Sequence, residues 1–294
     1  MKKKEIINDV FLPNKQEKLF LYEQYFKLFA KLYKNNLLPN KILLTGQSGL
    51  GKSTFAYHFI NFILSDKEDC PYDFMNFTIN SLNRSFLLIN LKYHPNFFLI
   101  ENFNDKQIID IKQVKNMIGF VNKTSYEKKI KLILIDNAEY LNLSSVNALL
   151  KIVEEPPSNT FIIFVHNSSV KLIETLKSRC IEFKIFFSNQ EKQIILKNLL
   201  TYHDLKIDIN LLEKIKSFYD SPGSILSLIK LINEGVIDMN NPNLISVISN
   251  LMDFILKNKN NTNLNLLQNA IELFFFQELK KTNNKIKISL NYSK

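Results

Sequence analysis

The sequence predicts an α/β architecture, in which a parallel sheet wrapped by helices is followed by purely helical segments, and three observations predict it. Short apolar runs of strand type recur at residues 41–44, 97–100, 132–135 and 161–165. Helical patterns lie between them at 55–64, 108–121 and 144–153, and this alternation is the mark of parallel pairing. Beyond Ser188 the strand signal stops and only helical periodicity remains.

A chain of 294 residues, 46% of them hydrophobic, is long enough for about two domains with real cores. Its start, Met1-Lys2-Lys3-Lys4, is charged like an export signal, but Glu5, Asn8, Asp9 and Pro13 break any apolar region behind it. Lys, Asn and Asp interrupt every apolar stretch before the roughly 18 to 20 residues a bilayer demands, so a cytoplasmic protein is expected. Three of the six glycines fall at Gly46, Gly49 and Gly51, between the first strand and the helix over 55–64. Residues 181–186 give a last strand, and helices follow over 189–201, 210–219 and 223–232. A linker is expected at 240–243, two amphipathic helices over 244–279 and a polar tail over 281–294. The two cysteines, Cys70 and Cys180, are far apart and have no partners at metal-ligand spacing, which speaks against disulfide and zinc scaffolds. The formal charge of +10 suits a nucleic-acid partner, yet Lys, Asn, Ile and Phe abound throughout, so a solvated coat of lysines is the preferred explanation of the charge.

The glycine cluster carries chemistry. Gly46-Gln47-Ser48-Gly49-Leu50-Gly51-Lys52-Ser53 matches G-x-x-x-x-G-K-[ST] in full, between a strand and a helix as that motif requires. Such a loop turns consecutive N–H groups toward phosphate oxygens, and the helix that follows adds its positive end. Lys52 would reach the terminal phosphates of ATP, and Ser53 would offer its hydroxyl to Mg²⁺, with Thr54 adjacent but less suited. The acidic partner is Asp136, at the carboxyl end of the apolar run Leu132-Ile133-Leu134-Ile135. The next residue, Asn137, cannot accept a proton from an attacking water. Glu139, three residues after Asp136, could swing in for that role, but the preferred reading is a surface charge at a helix start.

The segment Leu134-Ile135-Asp136-Asn137-Ala138-Glu139-Tyr140-Leu141, with Asn147-Ala148-Leu149-Leu150-Lys151-Ile152-Val153-Glu154-Glu155-Pro156-Pro157 and Ser178-Arg179-Cys180, resembles bacterial clamp-loader ATPases of the AAA+ class, and among them the delta-prime type. The resemblance spans roughly residues 38–232 and fades after that. It implies that Arg179 is an arginine finger aimed at ATP bound by a neighbouring subunit, a role that suits a guanidinium fork. It also implies that Asn167, ending Phe161-Ile162-Ile163-Phe164-Val165-His166, is the sensor-1 residue, with His166 the less suited neighbour. Two positions depart from a vigorous ATPase. Asn137 replaces the usual glutamate, and Leu226, in Ser221-Pro222-Gly223-Ser224-Ile225-Leu226, stands where active loaders carry a sensor-2 arginine. Many relatives also bind zinc through four cysteines between the loop and Asp136, where this chain has only Cys70, so no zinc is expected.

The resemblance therefore implies a RecA-like AAA+ nucleotide-binding domain over 1–186, a small helical lid over 187–236 and an all-helical collar over 237–294. The chain would bind ATP with Mg²⁺ and have little ATPase of its own. It would act within a hetero-pentamer that places the sliding clamp on primed DNA for the replicative polymerase holoenzyme. The alternative is an autonomous AAA+ ATPase, such as a helicase loader or a replication initiator. A small-molecule kinase would need several lid arginines, and residues 188–231 hold none.

Overall fold

The computed structural model describes residues 12–102, 108–123, 130–205, 207–235 and 244–258, together with 237 and several positions between 266 and 279. The basic start, the expected linker at 240–243 and the polar tail from 281 lie outside the described residues. Contacts divide the chain into two units, 1–204 and 205–294.

The first unit is built on five parallel strands: β1 (Lys41–Gly46), β2 (Phe97–Ile100), β3 (Lys131–Ile135), β4 (Thr160–Asn167) and β5 (Ile181–Lys184), in the spatial order β2-β3-β4-β1-β5. The parallel sheet expected from the sequence is thus present. Alternation along each strand feeds two cores, because the sheet is covered on both faces. Ile42, Leu44, Leu132, Leu134, Ile163 and Val165 enter one core, while Leu43, Ile133, Ile135, Ile162 and Phe164 enter the other. This is why the strands read as unbroken apolar runs. The last strand ends at Lys184, two residues short of the expected limit.

On the first face lie α1 (Glu23–Lys34) and α2 (Lys52–Leu64). The sequence reading passed over α1, whose inner stripe is Phe26, Phe29 and Ala30. Helix α2 is buried nearly all round, with Phe55, Phe59 and Ile60 fully enclosed. It begins three residues earlier than the apolar pattern predicts, since Gly51 takes φ +89° and caps it, so that polar Lys52 and Ser53 form its first turn. Helix α3 (Arg84–Asn90) was not foreseen either. On the second face, α4 (Ile111–Asn122) starts at Asp110, whose carboxylate accepts from Lys112 and Gln113 N–H. Its last turn is capped by the buried ammonium of Lys131, which donates to the carbonyls of Phe120 at 3.0 Å and Val121 at 2.7 Å. Helix α5 (Leu143–Glu154) is capped by Asn142 and stops ahead of Pro156, and the short α6 (Glu174–Lys177) leads into β5. Helix α7 (Asn189–Tyr202) opens on a reciprocal cap between Ser188 and Glu191.

The segment between α2 and β2 is held by amides and hydroxyls. Fully buried Asn83 accepts from Asn61 Nδ2 at 2.8 Å and from Phe86 N–H at 2.7 Å, and donates to the Cys70 carbonyl. Ser85 donates to Glu68 at 2.6 Å, and His58 lies 3.0 Å from the hydroxyl of Tyr72. Among the described residues no group of His, Cys, Asp or Glu is arranged to hold a metal ion, and no helix is long and apolar enough to cross a membrane.

The second unit contains α8 (Ile209–Phe218), α9 (Pro222–Asn233) and α10 (Leu244–Asn258). Tyr219 donates its hydroxyl to the Leu266 carbonyl at 2.9 Å, and Leu226 is buried among the apolar residues of α9.

Candidate functional site

The loop from Gly46 to Ser53 leaves the carboxyl end of β1 and enters α2, so its backbone faces the positive end of a long buried helix. Glycine is obligatory at its first position: a Cβ on Gly46 would meet the Ile185 carbonyl oxygen at 2.5 Å. Tyr22 supports the loop from below, donating its hydroxyl to the Leu50 carbonyl at 3.1 Å while stacking on Phe55.

Lys52 is only 5% exposed, and its ammonium donates to the carbonyls of Gly46 at 2.8 Å and Gln47 at 2.6 Å. Burial pushes it down to about 8, against the opposing pull of Glu139 and then Asp136. Ser53 donates its hydroxyl to Asp136 Oδ1 at 2.8 Å, joining the first turn of α2 to the end of β3. Burial raises the pKa of the Asp136 carboxyl, and the hydrogen bond from Ser53 works the other way. Glu101, at the end of β2, adds like charge and pairs with Lys92. A hydroxyl and a carboxylate side by side at the first turn of the helix that follows the glycine loop form a donor set that suits a divalent cation beside a phosphate chain.

Asn137 sits in the left-handed region at φ +56°, which asparagine tolerates well. Its N–H donates to Asp136 Oδ1 at 3.0 Å and its side-chain amide donates to Asn102 at 3.4 Å, so no carboxylate directly follows the aspartate. Asn167 ends β4 in register with Gly46, beside the loop. Glu139 stands in the first turn of the short 3-10 helix Ala138–Tyr140, at a helix start as expected, but not at the surface. It is half-buried, and Oε2 accepts the Asn167 N–H at 3.2 Å. The reason is the turn over Ala138–Tyr140, which folds the chain back across the ends of the strands. Lys192 is a second residue that the sequence reading passed over. It is buried on α7 and donates to Gln47 Oε1 at 3.1 Å, and a charged residue among the inward-facing Ile195 and Leu196 was the only sign in the sequence. Next to the loop, Thr45 and His166 lie in register on β1 and β4, and Thr45 Oγ1 and His166 Nδ1 are buried with no hydrogen-bond partner.

Arg179 belongs to the opposite end of the sheet. It precedes β5, whose Ile181 pairs with Ile42, four residues before Gly46. At about 3.3 Å per residue it is therefore more than about 13 Å from the loop along the strands. Its guanidinium donates to Glu154 Oε1 through Nε at 2.8 Å and Nη2 at 2.7 Å, and to the Thr175 carbonyl through Nη1 at 2.8 Å.

The family model described as DNA polymerase III, delta subunit, matches residues 22–189, more than half of the chain. The chain belongs to that family. A DNA polymerase III delta-prime subunit of Pseudomonas aeruginosa is 29% identical over 147 residues, which is 48% of this chain and 41% of that protein. One from Buchnera aphidicola (subspecies Schizaphis graminum) is 26% identical over 205 residues, 70% of this chain and 60% of that protein. A gamma subunit from Buchnera aphidicola (subspecies Acyrthosiphon pisum) is 26% identical over 195 residues, 66% of this chain and 51% of that protein. The matched stretches thus span between about 40% and 60% of the relatives' lengths. Within the matched span of the family lie the phosphate-binding loop, Asp136, Glu139, Asn167 and Arg179.

Proposed function

We propose that this chain is a delta-prime-like subunit of the clamp loader of a bacterial replicative polymerase. It binds ATP with Mg²⁺ in its own loop and lends Arg179 to the ATP site of a neighbour. Gly46, Gln47, Ser48, Gly49, Leu50, Gly51, Lys52, Ser53 and Thr54 would form the phosphate cradle, and Ser53 and Asp136 would hold the metal ion. Asn167 would read the γ-phosphate. In this reading residues 1–186 are the nucleotide-binding domain, 187–236 the lid and 237–294 the collar. The partners would be the other subunits of a hetero-pentamer, the sliding clamp and, through the assembly, primed DNA.

The observation that carries this reading is the separation of Arg179 from its own loop along the strands. A fork held by Glu154 at that distance serves no cation function in its own site, and a guanidinium supplied in trans makes hydrolysis depend on assembly. Bound MgATP would supply binding energy that differs between open and closed rings, and its hydrolysis would end that difference. Lys52 would leave the two loop carbonyls for phosphate oxygens. Asn137 and the buried Leu226 support a subunit whose own turnover is weak. The test is equilibrium binding of MgATP to the purified chain and to Lys52→Ala. Micromolar binding abolished by the substitution supports the reading; no binding by the unaltered chain refutes it.

One observation favours a second reading, the autonomous ATPase: Glu139 gives the site a half-buried carboxylate after all. Brisk ATP turnover by the isolated chain would select that reading.

A further inference from the structure

We propose that Glu139 is a positioning residue of the nucleotide site, a carboxylate that ties the end of β4 to the turn after β3 beside the phosphate-binding loop and sets nucleotide affinity through its own charge. This rests on the nucleotide-binding reading above. Glu139 lies on the turn after β3, and its Oε2 accepts the N–H of Asn167 at 3.2 Å. Asn167 is the register partner of Gly46, and the Gly46 carbonyl accepts from Lys52 Nζ at 2.8 Å. A continuous path therefore runs from the carboxylate through the strand end and the first loop residue to the loop lysine. The charged groups around Glu139 are Lys52 on α2 and Asp136 at the end of β3. Of the two carboxylates near Lys52, Glu139 does more to keep the ammonium charged against burial.

Two consequences follow from this placement. A polyanion entering the loop meets Glu139 as well as Asp136, and of these two only Asp136 stands where a metal ion shared with Ser53 would offset it. The repulsion from Glu139 grows with phosphate charge, so it weakens nucleoside triphosphate binding more than diphosphate binding. The hydrogen bond to Asn167 does the opposite work, holding the strand end in place whether or not the acceptor is charged.

Glu139→Gln separates these effects, because a glutamine carbonyl keeps the acceptor and removes the charge, whereas Glu139→Ala removes both. Calorimetric titration of the full chain with MgATP and MgADP between pH 5 and 8 reads them out. At pH 7, below the value of about 8 to which burial pushes Lys52, so that the lysine keeps its charge, Glu139→Gln should bind MgATP at least about fivefold more tightly than the unaltered chain, with a smaller gain for MgADP. The gain should shrink toward pH 5, as the unaltered carboxyl takes up a proton. Glu139→Ala should bind more weakly than Glu139→Gln. Unchanged affinity in Glu139→Gln at every pH, or an equal gain for both nucleotides, overturns the charge role. Equal binding by the two variants overturns the tie. If the unaltered chain binds neither nucleotide, the nucleotide-binding reading falls and this inference with it.

Discussion

Without nucleotide, the loop lysine should cost the protein stability. Lys52 has its pKa lowered from 10.5 to about 8, which makes its ammonium about 3 kcal/mol less favourable in the fold than in water. Lys52→Met removes that penalty and keeps the straight side chain, but it takes one donor each from the Gly46 and Gln47 carbonyls, at about 1 kcal/mol apiece. Gly46 keeps a second donor, the Ser168 N–H at 3.1 Å, so its share of the loss is the smaller one. A net gain of about 1 kcal/mol at pH 6.5 is expected. The pH dependence fixes the sign. Between about 8 and 10.5 the unfolded chain holds a proton that the folded chain has released, so the unaltered protein gains stability relative to the variant as pH rises through that window. The advantage of Lys52→Met should therefore shrink above pH 8 and reverse near about pH 9. Urea unfolding followed by circular dichroism at pH 6.5, 8 and 9.5 measures it. A variant less stable at pH 6.5, or a difference that does not change with pH, would refute the argument that burial of a charge, held for a phosphate, dominates this loop.

Other outcomes follow from single contacts. Thr45→Val replaces a buried hydroxyl that has no partner with a methyl group of similar size, and should raise stability by about 1 kcal/mol; a loss in thermal unfolding would mean that the hydroxyl is bonded. Asn83→Ala strips three hydrogen bonds from the segment between α2 and β2 and should cost about 2 to 4 kcal/mol in chemical denaturation, whereas a chelator should leave the melting temperature unchanged. Arg179→Ala breaks a pair with Glu154 that is a third to a half exposed, so stability should fall by less than about 1 kcal/mol while the ATPase of the assembled loader drops sharply.

What was legible in the sequence was whatever one repeating physical constraint imposes. The strands could be read because both faces of the sheet are covered, and that forces every residue of 132–135 to be apolar. The loop could be read because its glycines answer to backbone geometry, as the Ile185 carbonyl pressed against Gly46 makes plain. The limits of α2 and the surroundings of Glu139 were harder, since each depends on where the chain turns. Gly51 starts the helix three residues before the apolar stripe, and the turn after β3 carries Glu139 inward against the usual preference of a glutamate. Helix α1 was missed although its inner stripe is regular, because Glu23, Gln24, Lys27 and Lys31 dilute it. Lys192 could not be foreseen, because its partner Gln47 lies 145 positions away in the chain.

The central claim is that this chain binds ATP in one site and completes another. It is tested most directly by steady-state ATP hydrolysis of the chain alone, and again with the other candidate loader subunits, the clamp and primed DNA, comparing the unaltered chain with Arg179→Ala. The account predicts negligible turnover alone and brisk turnover in the assembly that collapses when Arg179 is replaced. Rapid hydrolysis by the isolated chain, or an assembly indifferent to Arg179, would contradict it.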